Sequence, residues 1–265
     1  MAEADRFITS YDGKRIFVRE DGVESGPPLL LSNSLGTTMA MWQPQMAEFA
    51  RQFRVIRYDA RGHGRSDAPM GDYSMEMLAR DALAVMDELR ISQTAFLGLS
   101  IGGTVGLWLA SQRPERITRL AVASSAPYYP MPDVWNELAA TARDKGAAVT
   151  AQWFLERWFT PDFRKDHEDD YQALLKSAQT EVTPQGYAGF CMALREVDLR
   201  AALSAITAPT LFIAGRHDAT PIAVVEGIAS SVPDARVVVI EDAAHISNME
   251  QPRAFTRAAV DFLKR

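Results

Sequence analysis

Short apolar runs recur along the first half of the chain and again towards its end. The runs at 28–33, 53–58 and 117–123 are typical of strands that are buried on both faces of a parallel sheet. Stretches with helical spacing lie between these runs, for example at 42–52 and 74–90. The alternation of strands and helices predicts an α/β fold with a mostly parallel sheet and helices on both faces.

Both ends of the chain extend this pattern. Two β-like runs, at 6–10 and 15–19, flank a turn signal at Asp12-Gly13, which predicts a hairpin. After the middle of the chain the alternation resumes. It predicts strands at 208–214 and 236–240 and helices at 221–231 and 251–264.

The middle of the chain breaks the alternation. Pro127, Pro130 and Pro132 interrupt the pattern, and residues 133–203 then form helical pieces rich in aromatic residues, with no strand-like run. We therefore predict a helical cap at 127–203, inserted into a core built from residues 1–126 and 204–265.

Composition narrows the possible compartments and partners. The 265 residues carry a net charge of -6 with no basic tract, so we expect no nucleic-acid partner. Cys191 is the single cysteine, which excludes an intrachain disulfide. The first residues lack the apolar core of a signal peptide, and no apolar run reaches membrane-spanning length. We expect a soluble, cytoplasmic protein without a membrane partner. Its oligomeric state does not follow from the sequence.

The segment Gly98-Leu-Ser-Ile-Gly102 has the pattern G-x-S-x-G between a predicted strand and a predicted helix. In that context the backbone of Ser100 is strained and its hydroxyl is exposed as a nucleophile. The helix that follows directs its N-terminal amides to the same point. The pentapeptide is common by chance, so a loop without chemistry fits it equally well.

Two further residues that follow predicted strands complete a catalytic constellation. Asp218 follows the strand at 208–214, and His245 follows the strand at 236–240. The chain order Ser, Asp, His is that of the α/β-hydrolase arrangement, in which the histidine takes the serine proton and the carboxylate orients the histidine. Asp218 could instead cap the next helix, and Asp242 is the alternative acid. His245 could be an ordinary loop histidine.

An acyl-transfer site also needs two backbone N–H groups for the developing oxyanion. We predict that Ile101, the residue after the nucleophile, supplies one of them. The loop after Asn33 supplies the other, from Leu35, because Ser34 and Gly36 permit a close backbone approach. An ordinary turn would explain this glycine equally well.

The charged, glycine-rich segment at 59–66 resembles a phosphate loop only superficially. It lacks a Lys-Ser/Thr ending and does not open a helix, so we interpret His63 and its arginines as structural. No two histidines have the spacing of metal ligands. We therefore expect neither a metal nor another cofactor.

Together these segments resemble the α/β-hydrolase superfamily over essentially the whole chain. Within it, residues 31–36 with Met41-Trp42, residues 243–248 and residues 157–160 are similar to the 3-oxoadipate enol-lactonases of bacterial aromatic catabolism. The chain departs from the family at Asn33-Ser34, where many relatives have His-Gly. It also departs at 215–221, where many relatives are longer.

The resemblance implies hydrolysis of an unsaturated five-membered lactone that bears a carboxymethyl group. A cap with Trp135, Trp153 and Trp158 would suit this small, flat substrate, and Ser34, Trp135 and Trp158 would contact it. Arg195 would bind its carboxylate. Alternatively, the tryptophans are cap core, and Arg195 is an exposed residue paired with Glu196 or Asp198.

Three other functions agree with some of the same residues and motifs. A general carboxylesterase or a cofactor-free perhydrolase would use the same triad, so only rates with lactones and aryl esters separate them from a lactonase. A non-catalytic binding module on this fold would show a broken triad. A dehalogenase or epoxide hydrolase is disfavoured because it needs a carboxylate where Ser100 stands.

Overall fold

A computed structural model describes residues 4–264. Residues 1–3 and 265 lie outside the described residues. They belong to the predicted core segments, and residues 1–3 also belong to the N-terminus that we interpret as lacking a signal peptide. The described chain contains one mixed sheet with the strand order β1-β2-β4-β3-β5-β6-β7-β8. Its strands are β1 (Ala4–Thr9), β2 (Arg15–Gly22), β3 (Pro28–Ser32), β4 (Arg54–Tyr58), β5 (Thr94–Leu99), β6 (Ile117–Ala123), β7 (Thr210–Gly215) and β8 (Ala235–Ile240).

Helices connect these strands and cover both faces of the sheet. The helices are α1 (Gln43–Gln52), α2 (Met75–Glu88), α3 (Ile101–Gln112), α4 (Pro132–Lys145), α5 (Ala147–Trp158), α6 (Pro161–Asp166), α7 (Glu168–Thr180), α8 (Pro184–Glu196), α9 (Ile222–Ala229), α10 (Ser247–Glu250) and α11 (Pro252–Leu263). Apolar side chains of α1 and α11 pack on one face of the sheet, and those of α2, α3 and α9 pack on the other.

The sheet has the predicted mixture of pairings. The hairpin of β1 and β2 is antiparallel, and β2 also pairs antiparallel with β4. The pairs from β4 through β3, β5, β6 and β7 to β8 are parallel. Each crossover between parallel neighbours brings the chain back over a face of the sheet, which places the carboxyl ends of these strands along one edge. The predicted α/β-hydrolase architecture is confirmed.

Helices α4–α8 lie between β6 and β7, inside the segment predicted as a cap. The two chain connections to this helical part pair with each other: Leu199 N–H donates to Pro127 C=O at 2.9 Å, and Tyr128 forms an antiparallel bridge with Asp198. The paired connections hold the entry and exit of the helical part together. The exact limits at 127 and 203 remain a prediction.

The C-terminal region differs from the sequence-based expectation in one respect. A short helix, α10, precedes the predicted closing helix, and the helical conformation is interrupted between them at Gln251. Pro252 at the start of α11 has no backbone N–H, which explains the break. Among the helices of residues 4–264, none is long and apolar enough to cross a membrane.

Candidate active site

Ser100 occupies the sharp turn between β5 and α3. Its φ of 57° and ψ of -125° are unusual for a residue with a side chain, and its N–H donates to Ala123 C=O at 2.8 Å. A β-carbon on Gly98 would collide with the backbone of Gly102, and one on Gly102 would collide with Ser32. The two glycines therefore permit the close contact of strand and helix that forms this turn.

His245 and Asp218 form the pair that the sequence predicts. The Nδ1 atom of His245 lies 3.1 and 3.2 Å from the two carboxylate oxygens of Asp218. Because a carboxylate accepts hydrogen bonds, Nδ1 carries a proton and the neutral imidazole keeps Nε2 as its proton acceptor. Nε2 is buried and has no partner among the described residues.

The Asp218 carboxyl is buried, with its charged form stabilised by neighbours. Burial alone would raise its pKa, but the imidazole of His245 and the neighbouring Ser124 hydroxyl outweigh this and hold the pKa below its usual value. The Thr220 N–H also approaches the carboxylate, at 3.5 Å. Asp218 therefore orients the histidine. It does not cap the next helix, because Pro221 is the N-cap of α9 and α9 has no side-chain cap, so that alternative is wrong. All hydrogen bonds of His245 to a carboxylate in the described chain go to Asp218, not to Asp242.

The loop after β3 leaves one amide free at the position predicted for the oxyanion hole. The Ser34 N–H donates to Met41 Sδ at 3.3 Å, and the Thr37 N–H donates to Ser34 C=O at 3.2 Å. The Gly36 N–H donates to His63 Nε2 at 3.1 Å. In this loop of the described chain, the Leu35 N–H is left without an acceptor, and so is the Ile101 N–H at the start of α3.

His63 holds the backbone of this loop in place. Its Nδ1 lies 3.1 Å from Arg61 C=O, which can only accept, so Nδ1 carries the proton and Nε2 accepts from Gly36. Complete burial lowers the pKa of His63 to about 4, which keeps the imidazole neutral. The interpretation of His63 as structural fits this contact, which also links the segment at 59–66 to the loop of Leu35.

A cluster of aromatic side chains from the predicted cap, which we call the aromatic cluster, lies against these groups. The Trp158 ring stacks on the His245 imidazole, with centroids 5.3 Å apart at 25°. At the other end, a β-carbon on Gly36 would contact the Tyr187 ring at 3.5 Å. Successive ring contacts of 5.1–6.4 Å join the members of the cluster: Tyr129, Trp135, Phe154, Trp158 and Tyr187.

Besides His245 Nε2, further buried polar atoms of this region have no hydrogen-bond partner in the part of the chain that the structure describes. Among them are the Ser34 hydroxyl, next to the free Leu35 amide, and two atoms of the aromatic cluster, the Trp135 indole nitrogen and the Tyr187 hydroxyl. A buried donor without a partner is unfavourable by about 1–3 kcal/mol unless a ligand or water satisfies it. Ser34 and Trp135 are among the residues predicted to contact substrate.

Arg195 does not join this group of residues. Its guanidinium donates to Glu196 Oε1 and to Asn136 Oδ1, each at 2.6 Å, and these are all of its hydrogen bonds within residues 4–264. The contacts favour the alternative of an arginine paired on the surface with Glu196. Trp153 is 44% exposed, with the Arg157 guanidinium over its ring, and its ring meets the edge of Phe154 at 4.9 Å on the outside of the aromatic cluster.

Sequence reasoning missed Tyr187 and Phe154 as members of the site. A signal for Tyr187 was present, because Gly186 is unfavourable inside a helix and indicates a close approach. A β-carbon on Gly186 would collide with Gly62, so α8 packs directly on the loop at 59–66 and Tyr187 reaches Gly36. Phe154 carried no distinguishing signal among the many aromatic residues of the cap.

The described residues contain no group of three or more His, Cys, Asp or Glu side chains arranged to hold a metal ion. The arrangement at Ser100 combines a strained serine, an imidazole oriented by a carboxylate, and two free amides. This combination suits nucleophilic attack on a carbonyl carbon followed by stabilisation of an oxyanion.

Comparison with known families agrees with this arrangement. The family model for the alpha/beta hydrolase fold matches residues 27–252. The chain belongs to the α/β-hydrolase family. Chain order, sheet topology and the position of Ser100 after β5 all follow the pattern of this family.

Individual relatives narrow the similarity. The chain is 40% identical over 245 residues to 3-oxoadipate enol-lactonase 2 of Acinetobacter baylyi, covering 92% of this chain and 91% of that protein. The structure of the enol-lactonase from Burkholderia xenovorans LB400 superposes with a TM-score of 0.94 at 39% identity, over 98% of this chain and all of that one. The predictions that this chain is an enzyme and that it resembles the enol-lactonases are confirmed.

The same fold is shared with an esterase at lower identity. A thermophilic esterase from Thermogutta terrifontis, with malate bound, superposes with a TM-score of 0.92 at 27% identity, and 98% of each chain is covered. Esterases and lactonases thus share this architecture, so the fold alone does not select the substrate.

Proposed function

We propose that this protein hydrolyses a small enol-lactone that bears a carboxylate, converting 3-oxoadipate enol-lactone to 3-oxoadipate, through a Ser-His-Asp acyl-enzyme mechanism. The observation that carries the proposal is the pairing of His245 with Asp218, which leaves the buried Nε2 of His245 free to accept a proton. The similarity to enol-lactonases supports the choice of substrate.

The acylation step uses Ser100, His245 and two amides. Ser100 Oγ attacks the lactone carbonyl while His245 Nε2 accepts the hydroxyl proton, and Asp218 stabilises the imidazolium that forms. The carbonyl oxygen becomes an oxyanion, which accepts hydrogen bonds from the N–H groups of Leu35 and Ile101. When the oxyanion collapses, the ring C–O bond breaks and the leaving enolate takes the proton from His245.

Deacylation reverses the roles of these groups. The opened chain remains attached through the Ser100 ester, and its enol tautomerises to a ketone. Water then attacks the ester carbonyl while His245 accepts a proton from it, and the same two amides bind the second oxyanion. Collapse returns the proton to Ser100 and releases the dicarboxylate product.

The aromatic cluster and the free donors of this region suit a flat, anionic substrate. The Trp158 ring stacks on His245, and the Tyr187 ring lies near Gly36. The Ser34 hydroxyl and the Trp135 indole N–H are buried donors without partners, and a substrate carboxylate accepts such donors. We assign them to the carboxymethyl group, in place of the predicted contact with Arg195.

A matched pair of lactones tests the proposal. The purified protein is assayed with 3-oxoadipate enol-lactone and with α-angelica lactone, which has a methyl group where the first carries the carboxymethyl group. Because a charge-assisted hydrogen bond contributes about 1.5–3 kcal/mol, kcat/KM should be about tenfold to a hundredfold higher for the carboxylate-bearing lactone. Ser100→Ala serves as the inactive control for both compounds.

The esterase alternative is tested in the same assay with 4-nitrophenyl acetate. A kcat/KM for the aryl ester that equals or exceeds that for the carboxylate-bearing lactone would replace the lactonase proposal with a general carboxylesterase. An absence of turnover with all three compounds would favour a non-catalytic binding module.

A further inference from the structure

Glu250, in the short helix α10, connects the predicted cap to the loop that carries His245. It is 6% exposed, and one of its carboxylate oxygens accepts the Thr160 N–H at 2.6 Å and the Thr160 hydroxyl at 2.8 Å. Its other oxygen accepts the N–H of Ala244, the residue before His245. One buried carboxylate therefore bridges the end of α5 and the histidine loop.

Trp158 strengthens the same connection from the other side of the histidine. The N–H of Ile246, the residue after His245, donates to Trp158 C=O at 3.2 Å. The Trp158 ring also stacks on the imidazole. The backbone N–H groups of Ala244 and Ile246, on either side of His245, are thus fixed to the segment at 158–160, one through Glu250 and one directly.

The core also holds the loop. The His217 N–H donates to Ala243 C=O at 2.8 Å, and a β-carbon on Gly215 would collide with Ala244 C=O, so the end of β7 packs on the loop. The Asp218 carboxylate holds Nδ1 of the imidazole. How the ring lies against Trp158 depends in addition on the contacts made by residues 244 and 246.

We propose that Glu250 is a positioning residue for His245: it joins Thr160 to Ala244 and so sets the orientation of the imidazole beneath Trp158. The inference rests on the proposed role of His245 as catalytic base, because a shift of Nε2 matters only if it receives the proton of Ser100. Glu250 itself does not contact the reacting groups.

The chemistry of the bridge explains why a carboxylate is needed. All three groups that face Glu250 are donors, so both of its oxygens must be acceptors. Glutamine has the same shape, but one of its two oxygens is replaced by an NH₂ group. This NH₂ group would face a backbone N–H, and two donors cannot form a hydrogen bond with each other. Glu250→Gln therefore breaks one half of the bridge with little change in volume.

Kinetics of Glu250→Gln test the proposal, with Glu241→Gln as the matched control. Glu241 belongs to the same loop, but its side chain is 63% exposed and pairs with Arg216. A small misplacement of a catalytic group lowers its rate by up to about a hundredfold. With the carboxylate-bearing lactone and with 4-nitrophenyl acetate, Glu250→Gln should lower kcat about tenfold to a hundredfold. KM should stay within about twofold, and Glu241→Gln should behave as wild type.

An NMR measurement without substrate separates this inference from the proposed function. The chain has 4 histidines, so the ring protons of His245 can be assigned by comparison with His245→Ala. The stacked indole shifts these protons. In Glu250→Gln they should move in the same direction as in Trp158→Leu, and they should not move in Glu241→Gln. Wild-type kcat and unmoved His245 shifts in Glu250→Gln would overturn the inference, even if the melting temperature fell.

Thr160 provides the test if Glu250→Gln does not fold. Thr160→Val removes the hydroxyl, which donates to Glu250 and accepts the Phe163 N–H as the N-cap of α6, but keeps the backbone N–H. Because the bond from the hydroxyl to Glu250 is lost, kcat should fall about threefold. The His245 shifts should move as in Glu250→Gln, and Thr160→Ser should restore both values. Unchanged kcat and unchanged shifts in Thr160→Val would overturn the inference.

Discussion

The core half and the cap half of the candidate site are held by different kinds of contact. On the core side, hydrogen bonds fix each group: Ser100 N–H to Ala123, and His245 to Asp218. On the side of the predicted cap, ring contacts of 5.1–6.4 Å join the members of the aromatic cluster to one another, and the Trp135 indole N–H has no partner in the described chain.

The difference follows from the directionality of the two interactions. Hydrogen bonds constrain distance and angle, whereas burial of apolar rings is largely non-directional. The core half therefore suits steps that need exact geometry, such as proton transfer and oxyanion binding. The cap half suits shape and charge selection, where small adjustments are tolerated. Variants of Ser100 and His245 should abolish turnover of every substrate, whereas variants of the aromatic cluster should change the preference among substrates.

The largest expected effect comes from the nucleophile and the base. Ser100→Ala and His245→Ala should each lower kcat by about a millionfold, and the double variant should be little worse, because members of one catalytic unit are not additive. Steady-state assays with lactone and aryl ester measure this. Retention of a tenth of wild-type turnover by Ser100→Ala would remove it as the nucleophile.

The next largest effect is expected when the charge of Asp218 is removed. Asp218→Asn should fold normally and lose about three to four orders of magnitude in kcat, because the amide favours the wrong imidazole tautomer. Circular dichroism checks the fold and single-turnover kinetics check the rate. An Asp218→Asn variant with full turnover would transfer the role to another acid, with Asp242→Asn as the next variant to assay.

The buried His63 should make stability depend on pH. Burial lowers its folded pKa to about 4, so below pH 6.5 the unfolded chain binds a proton that the folded chain excludes. Above pH 6.5 this difference in proton binding vanishes, so His63 does not make stability depend on pH there. As the pH falls from 6.5 towards 4, the free energy of unfolding decreases. At pH 4.5 the loss should be roughly 2 to 3 kcal/mol, measured by urea unfolding.

His63→Gln is the control for that measurement. Its side-chain oxygen can accept the Gly36 N–H, but it does not titrate. The loss of stability between pH 7 and 4.5 should therefore be smaller in the variant by the same roughly 2 to 3 kcal/mol, since the carboxyl groups are common to both proteins. Parallel pH curves for the two proteins would contradict a neutral, buried His63.

In the cap half, Trp135→Phe keeps an aromatic ring but removes the indole N–H. Its kcat/KM for the carboxylate-bearing lactone should fall about tenfold, with little change for α-angelica lactone. Trp153→Phe, at an exposed ring of the same helical region, should change neither value. Equal losses on both lactones would indicate that Trp135 only supports packing.

The smallest effect is expected at Arg195. Since its guanidinium is bound to Glu196 and Asn136, Arg195→Ala should change kcat/KM by no more than about twofold for either lactone. Paired assays of the charged and uncharged lactones check this. A selective tenfold loss on the charged lactone would return Arg195 to the role of carboxylate anchor.

Much of the fold follows from local pattern alone. Buried strands such as Pro28–Ser32 are apolar runs, and the hairpin at Asp12-Gly13 uses standard turn chemistry. These features depend on neighbours in sequence, so a single chain is enough to recognise them. Helix α10 was missed because its four residues are too few to show helical periodicity.

For the site, the sequence by itself determined the order of Ser100, Asp218 and His245 and their positions after strands. It also determined the turn at Ser100, because Gly98 and Gly102 are local requirements of that backbone. In each case the information lies in residue type and in spacing along the chain, which topology converts into proximity at one edge of the sheet.

Only the tertiary structure decided which partners those residues meet. It selected Asp218 over Asp242 as the contact of His245, and it left the Leu35 N–H free by engaging the amides on either side. It also bound Arg195 to its neighbours and joined Glu250 to both the cap and the histidine loop. These outcomes depend on distances and directions between side chains far apart in sequence, and no local pattern encodes them.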